Sequence, residues 1–75
     1  MHPLFDIIKF MKILTWQPRH DKKLTLVELS KLTGISKTTL NEIENGNRMP
    51  NMLQMEKLAQ AFEMKISDLY ESEFK

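Results

Sequence analysis

"GISKTTLNEIENG", residues 34 to 46, opens with a glycine, a β-branched apolar residue and a serine, then runs through about two helical turns to Asn45-Gly46. At about 100° per residue, Leu40 and Ile43 fall together on one side of this helix. Thr38, Asn41, Glu42 and Asn45 fall on the far side, with Lys37 at its edge. One face locks the helix to a domain and the other is offered outward. The outward groups are mostly short hydrogen-bonding side chains, with a lysine near the helix N-terminus, a set suited to base edges and phosphates in a DNA major groove.

Upstream, "TLVE" at 25 to 28 reads as a capping box, in which Thr25 accepts from the Glu28 backbone and Glu28 reaches back to the Thr25 N–H. The helix it starts carries Leu26, Val27, Leu29 and Leu32, directs Glu28 and Lys31 to solvent, and stops at Gly34, the residue best able to take positive φ. Ser36 then caps the next helix. Two short helices joined by so tight a turn need a small residue where they cross, supplied by Ser30, and apolar plugs in the angle, supplied by Ile35, Leu40 and Ile43. The pattern is a helix-turn-helix.

Downstream of Pro50, "NMLQ" at 51 to 54 is a second box-like start, and Met52, Leu53, Met55, Leu58, Ala59 and Phe62 follow at the spacing of a core helix. Met52, Met55 and Met64 are read as core. "MKISDLYESEFK", 64 to 75, is expected to close the chain as a short helix with Ile66, Leu69 and Tyr70 on one side.

At the other end, Leu4, Ile7, Ile8, Met11 and Leu14 have helical spacing, but "KFMKILTW" at 9 to 16 fits an extended chain equally. Pro18 forbids one uninterrupted helix, so a helix from about Thr15 to Lys23, N-capped by Thr15, places Pro18 in its first turn. No stretch shows sustained strand alternation. The expected fold is all-α, a compact five-helix domain over residues 11–75 with a central helix-turn-helix, preceded by an N-terminal extension over residues 1–10.

Composition bounds the function. The 75 residues suit one domain, and 41% hydrophobic with 28% charged residues is a globular balance. The absence of cysteine leaves neither disulfide nor thiolate site and fits a reducing cytosol. No apolar run reaches membrane-span length, because Lys9 and Lys12 interrupt the best candidate, and the start lacks a small-residue cleavage site. A cytoplasmic protein without membrane contact is expected. Net charge is only +1, yet residues 1–48 hold eight Lys/Arg against five Asp/Glu, while residues 49–75 hold three against five. Any DNA contact therefore belongs to the first part. His2 and His20, with Asp21 beside the latter, invite a metal or acid/base reading, but His20 lies next to Arg19 on a short basic helix with no third ligand spaced to meet it, and no nucleophile with its base and no phosphate-cradling glycine loop occurs. Neither an enzyme, a metal site nor a cofactor is expected.

Residues 24 to 70, with the landmarks "LT..EL...TGIS...L..IENG...P....L..LA.AF....SDLY", resemble the phage repressor/Cro-type, or XRE, helix-turn-helix family. The resemblance implies that Ser36, Lys37, Thr38, Asn41 and Glu42 contact bases. It also implies that Asn45, Asn47 and Arg48 approach phosphates, and that Arg19 pairs with Glu44 to tie the first helix to the recognition helix. Two departures stand out. Leu26 occupies the place of a phosphate-contacting glutamine, for which Lys23 and Thr25 are the substitutes, and Pro18 shortens the first helix. The match fades upstream of about Met11, which leaves residues 1–10 as an extension or Met11 as the natural start.

The function implied is a sequence-specific transcriptional regulator, a repressor acting as a homodimer on an inverted repeat of double-stranded DNA. With no room for a sensing domain, its regulation would come from concentration, competition or a partner. The alternative is a DNA-binding antitoxin or an interaction module of the same fold with a protein partner. Leu69, Tyr70 and Phe74 fit either a dimer interface or simple core packing, and Leu4, Phe5, Ile7, Ile8 and Phe10 pose the same choice.

Overall fold

The computed structural model describes residues 12–75, so the expected extension over 1–10, with Leu4, Phe5, Ile7, Ile8 and Phe10, lies outside the described residues. The chain enters as β1 (Lys12–Ile13) and passes through α1 (Trp16–Asp21), α2 (Leu26–Thr33), α3 (Lys37–Glu44) and α4 (Met52–Phe62). A 3-10 turn (Ile66–Leu69) and β2 (Tyr70–Glu71) complete it.

Local signals account for the helix ends. Thr25 accepts from Glu28 N–H at 3.0 Å while Glu28 accepts from Thr25 N–H at 2.9 Å, and Asn51 and Gln54 repeat the arrangement at α4 with 2.8 and 3.0 Å. Gly34 ends α2 in the left-handed region at φ 75°. The Gly34 position has open space for a side chain, so the backbone conformation and not crowding calls for glycine there. Glu63, a non-glycine, ends α4 in the same region at φ 57°.

Four expectations are corrected. The described residues hold four α-helices rather than five, and the mostly helical fold is consistent with the expected all-α class, with one addition: β1 and β2 form a two-residue antiparallel ribbon with Lys12 opposite Glu71 and Ile13 opposite Tyr70. The closing segment is thus a 3-10 turn and a strand: Tyr70 is extended because it completes a ribbon with the other end of the described chain, a non-local partner that residues 64–75 do not announce. The first helix is shorter than Thr15–Lys23. Thr15 stands at its N-cap position but has helical φ/ψ, so its hydroxyl does not cap. Finally, Met52 is 69% exposed, and Leu53, Val27 and Leu32 are exposed as well.

The core comprises Leu29 from α2, Ile35 from the turn, Leu40 from α3, Met55, Leu58, Ala59 and Phe62 from α4, and Leu69 from the 3-10 turn. On α4 the buried residues repeat at i, i+3, i+4 and i+7, which leaves Leu53 on the solvent side and Met52 at the uncovered first turn. Met64 packs against the cluster as expected. No helix among the described residues is long and apolar enough to cross a membrane.

Candidate nucleic-acid interface

The interface rests on how α3 is held. Leu40 and Ile43 are buried, and the α2–α3 turn is fixed by Thr33, whose hydroxyl donates to Leu29 C=O at 2.8 Å and accepts from Ile35 N–H at 3.2 Å. Gly34 N–H adds a 2.9 Å bond to Ser30 C=O. The turn is therefore held by these three hydrogen bonds and by the buried Ile35 side chain. Ser30 is half-buried where α2 meets α3, consistent with the need for a small residue at the crossing.

The far end of α3 is anchored by Arg19 of α1. Its Nε donates to Glu44 Oε1 at 2.8 Å, its Nη2 to Glu44 Oε2 at 3.1 Å, and its Nη1 to Leu24 C=O at 2.8 Å. The two side chains are only 14% and 9% exposed. A planar guanidinium satisfied at three points fixes an angle as well as a charge. On the outer side of the same helix, the Trp16 and His20 rings stack at 3.8 Å.

With both ends of α3 fixed, its outer face is presented to solvent. Lys37, Thr38, Asn41 and Asn45 are exposed, and among the described residues no side-chain hydrogen bond engages the first three. Their polar groups are free to meet a partner. Ser36 differs from them. Its oxygen accepts from Thr39 N–H at 3.1 Å and its hydroxyl donates to Thr39 Oγ1 at 2.9 Å, so it is engaged within the first turn of α3. Capping is its observed work, as a residue entering a helix at extended φ/ψ would do.

Beyond α3, Gly46 takes φ 80° and turns the chain so that Asn47 N–H donates to Glu42 C=O at 2.8 Å. Asn47 and Arg48 are exposed, and Arg48 Nε donates to Glu42 Oε1 at 3.1 Å. At the start of α2, Lys23 and Thr25 are exposed, with the Thr25 hydroxyl oxygen occupied by its cap bond. Glu28, the reciprocal cap, has its carboxyl held below the usual carboxylate range, first by the Thr25 backbone N–H and then by the Thr25 side chain and Lys31.

Two functional elements were not legible as such. Thr33 carries a signal, a threonine one residue before a helix-ending glycine, where a hydroxyl can bond back to the i−4 carbonyl. The Glu42–Arg48 pair has none, because the loop conformation sets it. Leu69, counted among the interface candidates, is 0% exposed. It is core, and that assignment is corrected. Tyr70 is half-buried and Phe74 exposed, both lining an apolar groove of about 460 Å³ with Ile13, Met49, Pro50 and Met52.

Among the described residues no group of three or more His, Cys, Asp or Glu side chains could hold a metal ion. A family model described as helix-turn-helix matches residues 19–69, from Arg19 within α1 to Leu69. No curated protein matches the chain.

Proposed function

The chain belongs to the helix-turn-helix family of XRE, Cro/C1 type, a family of DNA-binding transcription regulators rather than of enzymes, and from that premise we propose that it is a repressor acting as a homodimer on an inverted-repeat operator. The observation that carries the reading is the two-sided α3, with Leu40 and Ile43 locked inside and Lys37, Thr38 and Asn41 exposed with unengaged side chains. In this reading α3 enters the major groove. Lys37, Thr38, Asn41 and Glu42 read base edges, while Lys23, Thr25, Asn45, Asn47 and Arg48 approach the phosphates on either side. Ser36 orients the N-terminus of the helix and adds at most an acceptor.

The apolar groove of Ile13, Met49, Pro50, Met52, Tyr70 and Phe74 supports self-association, since exposed apolar surface of this kind favours cover by another chain. Two copies would place their recognition helices about 34 Å apart, one turn of DNA. The same groove favours the second reading, an antitoxin or interaction module in which a different protein takes that place.

The test is fluorescence anisotropy with DNA from upstream of the protein's own gene against a scrambled duplex, at rising salt, alongside light scattering for stoichiometry. Tighter, salt-sensitive binding to the native fragment by a dimer supports the regulator. Equal binding to both fragments overturns sequence-specific regulation, and a monomer at all concentrations overturns the homodimer.

A further inference from the structure

The two arginine–glutamate pairs that meet α3 differ in construction. Arg19 grips Glu44 through two nitrogens and is nearly buried, whereas Arg48 touches Glu42 through Nε alone, with side chains 52% and 37% exposed. The first fixes the fold. The second is a single charge-assisted bond in water, weak enough to be exchanged for another partner. Its location is also distinct. Glu42 lies on the outward side of α3, about 50° from the middle of that face on a helical wheel, and the Asn47 N–H bond to Glu42 C=O holds the loop so that Arg48 reaches back over it.

We propose that Glu42 and Arg48 form an exchangeable charge lock that couples base reading to phosphate binding. Away from an operator, Glu42 holds the Arg48 guanidinium and cancels its charge, so Arg48 adds little to binding of arbitrary DNA. A base-edge amino group, such as the N4 amino group of cytosine, takes the Glu42 carboxylate and frees Arg48 for a phosphate. Without such a donor, releasing Arg48 leaves an unpaired carboxylate beside the DNA backbone, which is repulsive. The lock rests on the DNA-reading role of α3 and specifies which two residues confer discrimination there.

The test uses the full chain with E42Q, R48Q and the double variant, on a duplex enriched from a random-sequence pool and on its scrambled counterpart. All four proteins are also eluted from heparin by salt. Both side chains are substantially exposed, and unchanged thermal melting verifies that each variant folds. On scrambled DNA, R48Q should weaken the parent by less than twofold but the E42Q background by about threefold, one counterion's worth between low and moderate salt. On the enriched duplex, R48Q should weaken the parent about threefold and lower the salt slope by about 1. Equal cost of R48Q on both duplexes and in both backgrounds overturns the lock. A parent that does not distinguish the duplexes overturns the regulator reading and with it the exchange by a base, and heparin then decides separately whether Glu42 cancels the Arg48 charge. Later elution of E42Q that requires Arg48 supports it, and the same delay without Arg48 overturns it.

Discussion

Arg19 and Glu44 meet through two parallel hydrogen bonds of 2.8 and 3.1 Å, joining α1 to the last residue of α3. Because each side chain is nearly buried, removing one partner leaves the other charge poorly solvated. Arg19→Met or Glu44→Gln should cost about 2–4 kcal/mol in urea unfolding, while the double change to Met and Leu should recover much of it. A single-variant loss under about 0.5 kcal/mol would show that the pair contributes little to holding α3.

For the outward face, Lys37→Ala, Thr38→Ala and Asn41→Ala should each leave the melting temperature close to that of the parent, since all three side chains are exposed. Each should lower operator binding by about 1–3 kcal/mol if it meets a base edge. Unchanged anisotropy for all three would remove α3 as the reading element.

The turn yields a sharper stability test. Thr33→Val keeps shape but deletes the hydroxyl that accepts from Ile35 N–H and donates to Leu29 C=O, leaving a buried N–H without that partner. A loss of about 1–3 kcal/mol is expected in chemical denaturation. Operator affinity should fall in step, because the same bonds set the angle of α3.

Gly34 and Glu63 both hold left-handed backbone, at φ 75° and 57°. Gly34→Ala should destabilise by about 1 kcal/mol, whereas Glu63→Gly should be neutral or stabilising by up to about 1 kcal/mol, since relief of the left-handed strain opposes the added unfolded-state entropy. The Lys22–Glu63 pair lost in the second change is exposed at 3.6 Å and counts for little. Thermal melts of the two variants moving in the same direction by similar amounts would contradict this account.

Acid dependence follows from the α2 cap. The Glu28 carboxyl is held below its ordinary range by the Thr25 backbone N–H before other causes, so its folded pKa lies below its unfolded one. The stability it contributes is complete above the unfolded pKa and disappears as pH falls through the folded value. Glu28→Gln should therefore narrow its stability gap to the parent as the solution is acidified, as measured by urea midpoints from neutral pH downward. A gap that is constant with pH would show that the charge has no part in the cap.

Residues 24 to 62 were largely legible because their determinants are local. Thr25 and Glu28, Ser36, Asn51 and Gln54 are capping residues within one turn of what they cap, and Gly34 and Gly46 meet a backbone requirement that no neighbour has to impose. Buried and exposed positions on α3 followed from helical period alone. The Arg19–Glu44 geometry was implied only through resemblance, since nothing in either residue's neighbourhood points to the other.

By itself, then, the sequence determined the helix starts and stops, the tight turn and the two faces of α3, since each depends on a few adjacent side chains competing for adjacent backbone groups. Tertiary structure decided what depends on distant partners. Tyr70–Glu71 became a strand because Lys12–Ile13 lies beside it, and Leu69 entered the core instead of an interface. Met52 stayed exposed where nothing covers the first turn of α4, and Arg48 came to lie against Glu42 because Gly46 turned the chain back. Strand pairing and burial are settled by which surfaces approach, and that is a property of the whole packed chain.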